Sequence, residues 1–88
     1  MKINVIWSAS AWEEYVEWQG EDKKIVKRIN ELIKDIDRNG LLKGIGKPEA
    51  LKHIKACSRH INDEHRLVYN KDSNGNLVIF SCKGHYED

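Results

Sequence analysis

The chain has 88 residues, 40% of them hydrophobic and 33% charged, and carries a formal net charge of +1 at pH 7. Because a domain takes about 100–200 residues, we expect one domain over residues 1–88, with a single modest core. The composition argues against a disordered chain, and the longest apolar run, Leu77–Phe80, is far shorter than the ~20 residues of a membrane span.

Two features bear on the cellular compartment. The first residues lack the apolar segment of a secretory signal. Cys57 and Cys82 have no CxxC spacing and are too few for a disulfide framework. We therefore expect a reduced, cytoplasmic protein without membrane contact.

The charges are distributed unevenly along the chain. Five acidic residues and no lysine or arginine lie between Ile3 and Asp22. Between Lys43 and Arg59 there are five basic residues and one acid, Glu49. Such a basic segment is either a local surface for an anionic partner or an ordinary solvated lysine face, and composition leaves both open.

The N-terminal part is predicted to form a strand followed by a helix. Ile3–Trp7 alternates as a half-buried strand does. Ser8 or Ser10 then begins a helix, since Ser10 and Glu13 have the spacing of a capping box. Gly20–Asp22 is expected to end this helix and to cap the next. The stripe of this helix expected to face the core contains Trp12, Tyr15 and Val16.

The most periodic segment is a second helix, which ends at the Asn39-Gly40 pair. Apolar residues recur in it at helical spacing and define one buried face, while lysines and Arg38 occupy the rest. That face consists of Ile25, Val26, Ile29, Leu32, Ile33 and Ile36.

Beyond a glycine-rich loop, Asn39–Pro48, the apolar period changes from 3.6 to 2. A turn at Asp72–Gly75 joins the last two predicted strands as a hairpin. The predicted strands are Ala50–Ile54, Ala56–Ile61, His65–Tyr69 and Leu77–Cys82. Helices followed by a run of strands predict an α+β domain, with both helices on one face of an antiparallel sheet.

The histidines and cysteines raise the question of a metal site or a thiol nucleophile. Their spacings match no structural zinc pattern, so we expect no metal. Cys82 and His85 could form a nucleophile pair, but alternation places Cys82 on an apolar face with Val78 and Phe80, which favours a buried structural cysteine. The residues considered for zinc are His53, His60, His65, His85, Cys57 and Cys82.

A dispersed set of polar residues is the remaining candidate site. It consists of Glu49 after the proline, Arg66 in a strand, and His85-Tyr86 after the last strand. If the hairpin turns near Asn74, Arg66 lies opposite residues near Cys82, within a few positions of His85. Neighbouring strands are only ~4.7–4.9 Å apart, so Arg66 and His85 could share one end of the sheet. Glu49 joins them only if its strand neighbours the hairpin.

These side-chain types suit the cleavage of RNA without a metal. A carboxylate can take the proton of a ribose 2′-OH, and a guanidinium can hold the charge that develops on the phosphate. An imidazole, with an ordinary pKa of ~6.5, can give a proton to the leaving 5′-oxygen. Exposed Glu, Arg and His are also ordinary residues of a sheet edge, and the residues alone leave that alternative open.

Five segments in order, spread over nearly the whole chain, carry further information. They are Ile6–Ser8 with Ala11–Tyr15 and Trp18-Gln19, the helix Asp22–Asp35, Gly44–Lys52, Ser58–Ile61 with Glu64–Tyr69, and the closing His85-Tyr86. Together they resemble the YoeB-type toxins, bacterial toxin–antitoxin ribonucleases of the RelE/ParE superfamily.

This resemblance implies a RelE-like, microbial-ribonuclease-like fold, with two N-terminal helices on an antiparallel sheet of four or five strands. It also implies an endoribonuclease that enters the A site of the 70S ribosome and cleaves mRNA there, without a cofactor or metal. The implied partners are a cognate antitoxin of the YefM/Axe type, a second copy of the chain, and operator DNA, bound only as the toxin–antitoxin complex. The helix with Trp12 and Trp18 could supply the dimer interface.

The resemblance also assigns roles to single residues. Glu49 corresponds to the general base, His85 to the general acid and Arg66 to the ligand of the phosphate in the transition state. Tyr86 corresponds to a C-terminal residue that helps to position the RNA. The residues expected to bind RNA phosphate are Lys47, Lys52 and Arg59.

Two positions depart from the family pattern, and two other function classes remain. Cys57 stands where the family often has an aromatic residue, and His60 where it commonly has arginine, so RNA contacts are expected to be weaker. One alternative is a toxin that acts by protein binding, as gyrase-poisoning relatives on this fold do, although those lack the Glu/His pair. The other is a silent corepressor of the operon.

Overall fold

The computed structural model describes Met1–His85 and shows two helices against a five-stranded sheet. The sheet order is β1-β5-β4-β3-β2, and every neighbouring pair is antiparallel except β1 and β5, which are parallel. The predicted α+β class is confirmed. The elements are β1 (Val5–Trp7), α1 (Ala9–Glu21), α2 (Lys23–Asn39), β2 (Glu49–Ala50), β3 (Cys57–His60), β4 (Arg66–Lys71) and β5 (Leu77–Ser81).

Side-chain and glycine caps set the helix ends. Ser8 caps α1, its Oγ accepting from the backbone N–H of Ala11 at 3.0 Å. The predicted capping box at Ser10 is wrong, because Ser10 lies inside the helix. Asp22 caps α2 as predicted. At the other end Gly40 has φ 94°, a conformation that favours glycine, so α2 ends where predicted.

The core lies between α2, α1 and the inner face of the sheet. The predicted apolar face of α2 is confirmed, since Ile29, Leu32 and Ile36 are completely buried. In α1 the buried residues are Ala11 and Trp18. The predicted stripe of α1 is wrong at two positions, because Trp12 is 51% and Val16 48% exposed. Neither helix in the described chain combines the length and the hydropathy that crossing a bilayer requires.

Strand pairing differs from the prediction at both edges of the sheet. β2 is only two residues long, whereas a strand over Ala50–Ile54 is predicted. After Ala50 the chain turns back, and the N–H of Leu51 donates to the carbonyl of Ala56 at 2.9 Å. At the opposite edge β1 pairs in parallel with β5, which a wholly antiparallel sheet does not allow.

A β-bulge interrupts the pairing of β4 with β5. Tyr69 pairs with Ile79, and the preceding residue, Val68, pairs with Ser81, so Phe80 is an extra residue on β5. The extra residue reverses the inside–outside alternation of the positions that follow. Cys82 is therefore buried, as predicted. It does not share a face with Phe80, as the sequence pattern predicts, because Phe80 is 41% exposed.

Candidate active site

The face of the sheet away from the helices carries most of the predicted site. Glu49 of β2 pairs with Ser58 of β3, and His60 of β3 pairs with Arg66 of β4. Directly paired residues share a face, as do residues two apart on one strand. Glu49, Ser58, His60 and Arg66 therefore lie on this outer face, while the intervening Arg59 points towards the helices.

Lys47 enters the site from the glycine-rich loop. The N–H of His60 donates to the carbonyl of Gly46 at 2.7 Å, which brings the loop beside β3 just before β2 begins. Lys47 has φ 53°, the left-handed region that non-glycine residues seldom adopt. A strained backbone conformation next to a candidate site is consistent with a functional position.

His60 is surrounded by the charges of this site. Partial burial lowers the pKa of His60 below its ordinary value of 6.5, and the positive charges of Arg66 and Lys47 lower it further. The carboxylates of Glu49 and Asp63 act in the opposite direction and do not reverse the shift. The lowered pKa favours the uncharged imidazole of His60, and the charges of Lys47, Glu49 and Arg66 all act on it.

His60 is the residue that sequence reasoning undervalued. The sequence presents it only as a candidate zinc ligand and as a substitute for an arginine. The alternation of side chains along β3 was nevertheless a signal. Ser58 and His60 alternate there with Cys57 and Arg59, which face inward. Alternation places His60 on the face opposite Arg59, so His60 lies on the outer face once Arg59 is known to be buried.

Arg66 offers its charge to the outer face. Its guanidinium Nη1 donates to the carbonyl of Asn62 at 2.9 Å, and to those of Asp63 at 3.3 Å and His65 at 3.2 Å. These bonds hold the side chain against the turn between β3 and β4. Within Met1–His85 no carboxylate forms an ion pair with Arg66, so its charge remains available to an anion such as phosphate.

The chain end passes beside Arg66. The backbone N–H of Arg66 donates to the carbonyl of Gly84 at 3.0 Å. The next residue, His85, is exposed. The hairpin thus brings His85 to the start of β4, as its predicted turn requires. Tyr86 lies outside the described residues.

Arg59 is not an RNA-binding residue, and that prediction is wrong. Its side chain is completely buried, and all five of its N–H groups are directed at acceptors inside the fold. None remains for a phosphate. The acceptors are Asp35 Oδ2 at 2.5 Å, the Tyr69 hydroxyl at 2.9 Å, and the carbonyls of Ile45 at 2.9 Å, Gly40 at 2.9 Å and Lys43 at 2.7 Å.

These bonds fix the loop that leads to Lys47 and Glu49. Asp35 also accepts from the N–H of Ile45 at 3.0 Å, and the Tyr69 hydroxyl donates to the carbonyl of Leu41 at 2.6 Å. At Gly44 a β-carbon would come within 1.8 Å of the Asp35 carboxylate, so only glycine fits there. Arg59 therefore acts on the site from within, as the centre of a buried network.

The electrostatics of this network favour an ionised Asp35. Burial tends to raise the pKa of Asp35, but hydrogen bonds from Arg59 and the Ile45 N–H, with the charge of Arg59, outweigh it and hold the pKa below 3.8.

Lys52, the remaining predicted phosphate ligand, is exposed two residues beyond the end of β2.

Neither the zinc nor the thiol alternative gains support from the described residues. Among Met1–His85 no group of three histidine, cysteine or acidic side chains is arranged to hold a metal ion. Cys57 and Cys82 are both free and buried. Burial and the Glu14 carboxylate raise the pKa of Cys82 to about 12, and burial raises the pKa of Cys57.

We therefore expect neither thiol to react in the folded protein. Iodoacetamide at pH 8 should leave both cysteines unmodified after an hour and should label both once urea unfolds the chain, because only the thiolate is nucleophilic. Mass spectrometry of the intact protein counts the labels. Rapid labelling of Cys82 without denaturant would reopen the thiol alternative.

The fold is that of a class of proteins, the small α+β toxins of the RelE-like type. The particular family follows from the sequence match. A family model described as the YoeB-like toxin of bacterial type II toxin–antitoxin systems matches residues 7–86, and the chain belongs to this family.

Individual relatives agree with this assignment. Toxin YoeB of Escherichia coli strain K12 is 49% identical over 86 residues, spanning 96% of this chain and 100% of the relative. The YoeB dimer from Staphylococcus aureus superposes with a TM-score of 0.91 at 52% identity and covers 98% of this chain and 100% of its own. The YoeB–YefM heterotetramer from the same species gives 0.88 at 55% identity, with the same coverage.

Proposed function

We propose that this toxin is a ribosome-dependent endoribonuclease that cleaves mRNA in the A site and so blocks translation. The observation that supports the proposal best is that Glu49 and Arg66 share the outer face, and that His85 follows the residue whose carbonyl accepts from the Arg66 N–H. A carboxylate, a guanidinium and an imidazole on one open surface, in a chain of the YoeB-like family, are the groups that RNA cleavage without a metal needs.

In the proposed reaction, the Glu49 carboxylate takes the proton of the ribose 2′-OH. The 2′-oxygen attacks the adjacent phosphorus, and Arg66 stabilises the negative charge that builds up on the phosphate oxygens. His85 gives its proton to the 5′-oxygen as the P–O5′ bond breaks. The products are a 2′,3′-cyclic phosphate and a free 5′-hydroxyl, so protons and bonds balance without another reactant.

The remaining site residues serve to hold RNA in this proposal. Lys47 lies next to the reacting groups, and Lys52 lies just beyond β2, so both can contact phosphates. Contacts of this kind position a nucleic acid but carry little sequence information. Tyr86, which follows the proposed acid directly, is assigned to positioning the RNA.

The proposed protein partners are an antitoxin of the YefM type and a second copy of the chain. The S. aureus relatives are a YoeB dimer and a YoeB–YefM complex. Trp12 and Val16 on α1 are about half exposed, whereas Trp18 is core, so only part of the predicted helix surface could serve an interface. We further propose a cytoplasmic protein that represses its own operon with its antitoxin. Light scattering at micromolar concentration tests the dimer.

Primer extension on a defined mRNA in a purified translation system tests the nuclease. Wild-type protein should produce one cut within the A-site codon, only when ribosomes are present, and His85→Ala should not produce it. The antitoxin should suppress the cut when added first. Translation arrest with intact mRNA would instead indicate a toxin that acts by binding, and no arrest at all would indicate a silent corepressor.

A further inference from the structure

A second imidazole, His65, holds the segment that leads to the proposed acid. Its Nδ1 accepts a hydrogen bond from the backbone N–H of Gly84 at 2.8 Å. An acceptor nitrogen carries no proton, so this hydrogen bond requires the neutral ring with its hydrogen on Nε2. Gly84 directly precedes His85, and the position of His85 therefore depends on this contact.

Other contacts fix both partners of this bond. The carbonyl of Gly84 accepts from the Arg66 N–H, so the residue is held on both sides. The His65 ring packs edge-on against Trp18, with 4.8 Å between ring centroids and 74° between planes. The Trp18 indole N–H donates to the carbonyl of Cys82 at 2.9 Å. Ring and chain segment are thus anchored to the same core residue.

We propose that neutral His65 is a positioning residue for His85, and that protonation of His65 releases the segment. This inference rests on the proposed function, in which His85 is the general acid. A protonated imidazole has a donor at each nitrogen. Its Nδ1–H would face the Gly84 N–H, and the two groups would separate.

The charges around His65 come from three elements. On its own turn, Glu64 Oε2 lies 3.8 Å from Nε2 and Arg66 follows directly in β4. From the chain end, Lys83 lies over the Trp18 ring at 4.7 Å. Lys83 is in turn neutralised by carboxylates of α1, Glu17 at 3.6 Å and Glu21 at 3.4 Å. No carboxylate contacts Nδ1 itself within Met1–His85, so a proton there would have no acceptor to replace the lost bond.

Two substitutions separate the acceptor from the ring. In His65→Asn the amide Oδ1 can take the place of Nδ1, but the side chain cannot be protonated. In His65→Leu the side chain still packs on Trp18, but the acceptor is lost. Glu64→Gln is the matched control, because it removes the charge beside Nε2 and leaves Nδ1 unchanged.

NMR of the ¹⁵N-labelled toxin tests the contact without any need for activity. The Gly84 amide resonance of the wild type should shift when His65 becomes protonated in a pH series, in parallel with the ring nitrogens of His65. In His65→Asn it should stay in place, and in Glu64→Gln it should still shift. The inference would be overturned if the Gly84 amide shift did not change when His65 is protonated and was also unchanged in His65→Leu.

Single-turnover cleavage on the ribosome supplies the functional readout. A misplacement of about 1 Å can cost ~10²-fold in rate. We therefore expect His65→Leu to lower the rate at saturating ribosome by about 10²-fold with little change in ribosome affinity, and His65→Asn to restore most of it. If the Gly84 amide resonance shifts as expected but the wild type cuts no mRNA, the proposed nuclease function is wrong, while the contact between His65 and Gly84 is supported. If His65→Leu cleaves at the wild-type rate, the positioning role is wrong.

Discussion

Glu49→Gln is expected to lower the rate of mRNA cleavage by about 10²–10⁴-fold, the range that a positioned general base contributes. The amide has the size of the carboxylate but cannot take the 2′-OH proton. Glu49 is exposed on a two-residue strand and forms no ion pair among the described residues. The free energy of unfolding should therefore change by no more than ~0.5 kcal/mol.

Single-turnover primer extension measures this rate, and urea unfolding checks the fold. Glu13→Gln makes the same chemical change on an exposed face of α1 and should keep full activity. Antitoxin binding by the Glu49 variant, measured by calorimetry, should confirm that the toxin surface is intact. A folded Glu49→Gln protein that cleaves at the wild-type rate would remove Glu49 from the mechanism.

Arg59→Leu is expected to cost about 3–5 kcal/mol of folding free energy, because it leaves Asp35 as an uncompensated buried charge. It also leaves three loop carbonyls and the Tyr69 hydroxyl without their donor. Domains of this kind have only about 5–15 kcal/mol in total. Urea unfolding followed by tryptophan fluorescence measures the loss.

Arg28→Leu is the matched control for the buried arginine. Arg28 and Glu31 form an ion pair at 3.9 Å on the surface of α2, and such pairs contribute about 0–1 kcal/mol. The double variant Asp35→Leu/Arg59→Leu should recover part of the loss, since no lone charge is then buried. Equal effects of Arg59→Leu and Arg28→Leu would show that the buried network contributes little.

The same pair gives the stability a defined pH dependence. Asp35 has a pKa below 3.8 in the folded state, so its contribution is fully present above the unfolded value. As the pH falls through the folded pKa the carboxylate is protonated and the contribution is lost. In Asp35→Asn, unfolding free energies measured between pH 5 and pH 2 should fall less steeply than in the wild type.

The parts of the fold that sequence predicts well are those set by neighbouring residues. The apolar period of α2, its Asp22 cap and its Gly40 end all depend on residues a few positions apart. Strand pairing depends on distant partners, so the short β2 and the parallel pairing of β1 are beyond local patterns. The bulge at Phe80 is a further long-range feature, because only pairing with β4 reveals it.

The candidate site shows the same division. Alternation along β3 and the hairpin turn are enough to bring His60, Arg66 and His85 to one region of the sheet. Arg59 escapes such reasoning because three of its partners are backbone carbonyls of an irregular loop. From the sequence, a basic residue in a basic segment is predicted to bind nucleic acid. Only the positions of those carbonyls in the fold show that Arg59 is bound internally.

The extra residue in β5 also determines which residue of the chain bonds to the Arg66 backbone, and so which residue follows next to it. From Tyr69 back to Arg66, strand β4 covers three residues, while the opposite chain covers five, from Ile79 to Gly84, whose carbonyl accepts from the Arg66 N–H. Phe80 is one of the two extra residues. If one residue were removed from β5, every later residue would occupy the place that the residue before it occupies now. Tyr86 would then arrive where His85 now does, and a deletion inside the sheet would exchange the proposed acid for a phenol.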